Sequence, residues 1–86
     1  MPVVTSPEMM AGIAERARVF APRLFAVYGP FRKTSGALIV WGMEFARPTK
    51  VLAWSSDGAM WSGDTAEGLL RSISVICDAE LVWLSD

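Results

Sequence analysis

The stretch from Ala37 to Phe45 constrains this chain most, because it is apolar on both sides of a strand. With a two-residue period, one face carries Ala37, Ile39, Trp41, Met43 and Phe45. The other carries Leu38, Val40, Gly42 and Glu44. A strand that is apolar on both faces belongs inside a sheet, with helices over one side and a second cover over the other. The chain must supply both covers itself or borrow one.

Its length argues for borrowing. Hydrophobic residues fill 52% of 86 positions, and the mean hydropathy is +0.35. A single domain spanning residues 1–86 is expected, and one of this size buries only about 60–65% of the surface its unfolded chain exposes. Small domains gain further support from disulfides, metals or association. The single Cys77 excludes an intrachain bridge, and with no histidine in the chain no zinc site is expected. Association remains.

The flanking segments read as a mixed fold. Thr5 and Glu8 have capping-box spacing, and Ser6-Pro7 offers an alternative helix start with Pro at the first helical position. Val4 and Met9 have the positions of a hydrophobic staple. Met9, Met10, Ile13, Ala14, Ala17 and Phe20 recur at helical spacing, and Pro22 ends that helix near Phe20 or Ala21. Leu24 to Tyr28 is strand-like and closes on Gly29-Pro30; residues 31–36 form a basic loop; Ala46 to Thr49 is a turn. Lys50 to Ser55 and Ala59 to Ser62 form a hairpin about Ser56-Asp57-Gly58. Trp54 and Trp61 flank that turn as expected cross-strand neighbours. Asp64 caps a second helix with Glu67 three residues on, and Ala66, Leu69, Leu70, Ile73 and Ile76 or Cys77 form its buried stripe. Glu80 to Leu84 is a last strand.

The order α-β-β-β-β-α-β implies an α+β fold with a mostly antiparallel sheet and both helices on one face. The reverse face then lacks cover within the chain. Depending on register it shows Leu38 and Val40, or Ile39, Trp41 and Met43, and an apolar patch of that size marks an interaction surface.

The side chains present say what to exclude. The chain has no His, Asn or Gln, so the usual general base of nucleophilic catalysis and the bidentate readers of adenine are both missing. No enzymatic activity, cofactor or metal is expected. Asp57, Asp64 and Glu67 each have a turn or capping use. Cys77, at the end of an apolar stripe, reads as a small buried hydrophobe. The longest charge-free run is ten residues, Thr34 to Met43, about half the ~20 needed to cross a bilayer. No membrane span or export signal is expected, and a free thiol fits the cytoplasm.

Charge is uneven along the chain. Residues 1–50 hold seven basic and three acidic side chains; residues 51–86 hold one basic and six acidic. Arg32, Lys33, Arg47 and Lys50 are the candidate basic patch for phosphate contacts, with Tyr28 and Phe31 beside the loop as stacking rings. The leading expectation is nonetheless a protein partner. Trp is enriched at binding hot spots, and Trp41, Trp61, Ile39, Met43 and Phe31 are the candidate contact residues. The chain then acts as a homo-oligomer, an assembly subunit or an inhibitor of the immunity or antitoxin type. A nucleic-acid-binding module is the alternative.

Overall fold

The chain alternates as its turn residues dictate: α1 (Pro7–Val19), β1 (Arg23–Pro30), β2 (Ala37–Ala46), β3 (Thr49–Ser55), β4 (Met60–Gly63), α2 (Ala66–Ile73) and β5 (Glu80–Trp83). This computed structural model describes residues 6–85. The five strands form one antiparallel sheet ordered β4-β3-β2-β1-β5. The long β2 lies at the centre, as its two apolar faces require, and the four-residue strands β4 and β5 form the two edges. The fold is α+β and mostly sheet.

β4 and β5 point the same way from opposite edges, so the chain must cross the whole sheet between them. Residues 64–79 make that crossing, with α2 lying on one face. A connection between strands of the same direction needs a dozen residues or more. α2 buries Ala66, Leu69 and Ile73 against Phe25, Val27, Leu38, Val40, Val51 and Ala53, with the buried Cys77 completing the core. Trp61, Leu81 and Trp83 pack around this cluster. The ring of Phe25 meets Trp83 edge-on at 5.7 Å between centroids, and the Arg23 guanidinium lies 3.7 Å above the Trp83 ring.

Local chemistry fixes the ends of α2. Thr65, rather than Asp64, is the N-cap, its hydroxyl accepting from the Gly68 amide at 3.0 Å. The Ala66 amide donates to Glu44 Oε2 at 2.7 Å. A carboxylate from β2 thus satisfies the electropositive start of the helix.

The β3–β4 turn is held by Ser55 and Asp57. The buried Ser55 hydroxyl donates to Asp57 Oδ1 and accepts from the Ala59 amide. These contacts, the Ser55 hydroxyl first and the Ala59 amide second, hold the Asp57 carboxyl below its ordinary value. A depressed carboxylate stabilises the fold above the pKa of the unfolded chain, and that contribution fades as pH falls through the folded-state value. Ser55→Ala is therefore expected to move the Asp57 titration back up toward the usual carboxylate range. An NMR titration of the carboxyl reads it, and an unchanged midpoint would refute the assignment.

α1 departs from expectation. Ser6 is its N-cap, accepting from the Met9 amide, and Pro7 opens the helix. The Thr5 cap and the Val4 staple lie outside the described residues. Both helices were expected on one face, but none of α1's residues is buried, and among the described elements α2 alone packs on the sheet. α2 and its flanking tryptophans already fill that face. Residues 20–22 join α1 to β1, and Pro22 stiffens this link by fixing its own φ and restricting Ala21. α1 therefore projects. The radius of gyration is 17.1 Å and the extents are 57 × 25 × 18 Å, whereas a globular chain of this length has a radius of gyration of about 12 Å.

Candidate functional site

Strand alternation decides which side chains face away from α2. From β1 these are Leu24, Ala26 and Tyr28; from β2, Ile39, Trp41, Met43 and Phe45; from β3, Lys50, Leu52 and Trp54. β4 adds Met60 and Ser62, and β5 adds Glu80 and Val82. The registers line them up in rows. Met60, Trp54, Trp41, Ala26 and Val82 run across all five strands, and Ser62, Leu52, Met43 and Leu24 run beside them.

Among the described residues no element lies over these rows. Trp41 is 50% exposed, Trp54 45% and Met60 67%. Tyr28, Ile39, Leu24 and Val82 are exposed as well. A shallow depression of ≈ 470 Å³ lies at one end of the face, lined by Tyr28, Pro30, Ala37, Ile39 and Trp41 among others. The strand charges on this face are Lys50 and Glu80, at diagonally opposite corners, and the Tyr28 hydroxyl donates to Glu80 at 3.3 Å. The centre of the face is apolar.

Trp41, Ile39 and Met43 thus meet on one open surface, in the second of the two registers considered. The other expected contact residues do not join them. Trp61 lies on the α2 side, packed against the core, with its indole N–H buried and unpaired. It was expected to face Trp54 across the hairpin, but Trp54 pairs with Met60 and Trp61 with Ala53. Residues 55–59 separate the paired positions, and an odd loop count puts the two indoles on opposite faces. Phe31 packs against the core and bridges to Cys77, so it is no free stacking ring. Trp54, directly opposite Trp41, is the contact residue that sequence reasoning placed elsewhere. The parity of the turn was the signal that would have found it.

The basic residues do not converge. Arg32 and Lys33 precede β2, whereas Arg47 and Lys50 follow it. The ten residues of β2 hold the two pairs about 30 Å apart at ~3.3 Å per residue. Arg32 is also engaged, 2.8 Å from Asp78 and donating through Nε to the Ser74 carbonyl at 3.0 Å. Its loop borders a second depression of ≈ 450 Å³, with Phe31, Val75 and Ile76 in the wall.

Among the described residues no group of His, Cys, Asp and Glu could hold a metal ion, and no helix is long and apolar enough to cross a membrane. Comparison of the chain with protein-family models, with curated proteins and with solved structures gave no match.

Proposed function

We propose that the chain is a non-enzymatic protein-binding module whose contact surface is the open face of the sheet. The observation that carries this reading is the apolar row from Met60 through Trp54, Trp41 and Ala26 to Val82, in which every side chain but the small, buried Ala26 is exposed in the free chain. The largest contiguous apolar patch on a free-standing protein is about 300–600 Å² and often functional, and larger ones mark interaction surfaces. Two indoles at the centre of the row supply large, stiff contact area, and Met43 and Met60 adapt to whatever packs on them. Lys50 and Glu80 at the corners orient the partner and set its on-rate.

This chemistry suits an oligomer, an assembly subunit or a stoichiometric inhibitor that covers a partner's surface. A cytoplasmic setting accompanies the reading, since Cys77 is free. The split basic set makes nucleic acid the weaker reading, because a duplex backbone is gripped by cations gathered along one surface.

Trp41→Ala is expected to weaken association by about 2 kcal/mol or more. It should cost the isolated chain only up to about 1 kcal/mol, the worth of a cross-strand aromatic pair. Pull-downs and sedimentation of both forms, with matched thermal melts, separate the two effects. Association unchanged in the variant would remove the proposal.

A further inference from the structure

Among the described residues two apolar surfaces have no partner, and they match each other. The first is the open sheet face. The second is the flank of α1 carrying Met9, Met10, Ile13 and Ala17, continued by its C-cap Phe20, with Met9 53% and Met10 56% exposed. A helix of this length is marginal in water unless its apolar side packs on something, and here no residue of it is buried. The stiff link through Pro22 carries α1 away from its own sheet. None of the described elements covers the helix.

We infer that two copies of the chain form a two-fold dimer in which each α1 lies across the open sheet face of the other. This rests on the protein-binding reading above and names the partner. α1, thirteen residues long, measures about 20 Å at 1.5 Å per residue. The sheet is about 24 Å wide at ~4.8 Å per strand. The helix therefore spans the rows that contain Trp41 and Trp54.

Each protomer contributes two surfaces, one side of its own arm and the strip of its face beneath the partner's arm, each about 200 Å² in projection, so the dimer needs both helix–sheet contacts. The exchange is isologous: each copy gives an arm and receives one, and the contact closes on itself. With a formal net charge of −1 per chain, two copies repel only weakly.

Light scattering on the full chain is expected to give twice the 9.4 kDa of one copy. Ile13→Glu places a charge on α1 where the single chain buries nothing. It should raise the dissociation constant about 30-fold or more while the circular dichroism of the sheet stays intact. In the unaltered protein, hydrogen exchange should show α1 amides protected in proportion to dimer population. A monomer at high micromolar concentration overturns the exchange. So does a dimer indifferent to Ile13→Glu, or a dimer whose α1 amides exchange like unstructured chain. If the monomer nevertheless captures a protein through Trp41, the exchange falls and the binding reading stands; if Trp41→Ala changes nothing, both fall.

Discussion

Phe25→Ala is expected to lower the stability of this fold by roughly 3–5 kcal/mol, the cost of removing a buried aromatic and leaving a cavity. Phe25 is fully buried in β1, beside the central strand. It sits opposite Gly42 in the register, and its ring fills the space that a side chain at that position would take. It also meets Trp83 edge-on, so it ties β1, β2 and β5 together under α2. The cavity cannot collapse cheaply, because Gly42 has nothing to offer and the strand backbones are fixed by the ladder. A domain of this size holds roughly 5–10 kcal/mol in all, so the variant sits close to unfolding. Leu24, the adjacent residue on the open face, is the control: it is already 44% exposed, and its truncation should cost about 1 kcal/mol in the single chain. Urea unfolding measures both. A Phe25→Ala cost no larger than that of Leu24→Ala would mean that the core is not where the sheet's two faces place it.

Gly29→Ala is expected to cost about 3 kcal/mol, at the upper end for overpacking, with a fall in Tm of roughly 12–24 °C for a domain of this length. The reason is backbone against backbone. A Cβ at residue 29 would run into the carbonyl of Asp78, with the Cα of Ala79 also inside normal contact. No side chain can rotate away. The turn after α2 is clamped to this end of β1 by the Asp78 amide donating to Pro30 at 2.9 Å and the Arg32 amide donating to Ile76 at 2.9 Å. Pushing it off would also loosen the Tyr28–Glu80 pairing that starts β5. Thermal melts read the loss, and hydrogen exchange should locate it in residues 76–83. A variant that melts with the native protein would refute the close approach.

The part of the fold that was readable from residues is the part governed by local chemistry. The two apolar faces of Ala37–Phe45 placed that strand centrally, the Gly29-Pro30 and Ser56-Asp57-Gly58 turns bounded the strands beside it, and the 66, 69, 73 spacing marked the side of α2 that packs. Long-range facts were not readable. Glu44 carried no assignment beyond its strand face, but it satisfies the Ala66 amide because the crossing brings the helix start over that end of β2. Thr65 displaced Asp64 as the cap, since either side chain can accept from an amide three residues on and the exit from β4 decides between them. The basic residues looked clustered because a strand is short in sequence and long in space. α1 misled most. Its periodic apolar side signals burial but does not say in what, and a three-residue link with proline decides where the helix can reach.

The sheet's two margins carry a last consequence. β4 and β5 are each four residues long, so a strand added from outside would find only a few exposed amides and carbonyls to grip. Growth by strand addition, the route to fibres, is curtailed on both flanks. A chain this greasy therefore directs its stickiness perpendicular to the sheet, where contact ends once a layer is covered, and finite complexes are favoured over open-ended aggregates.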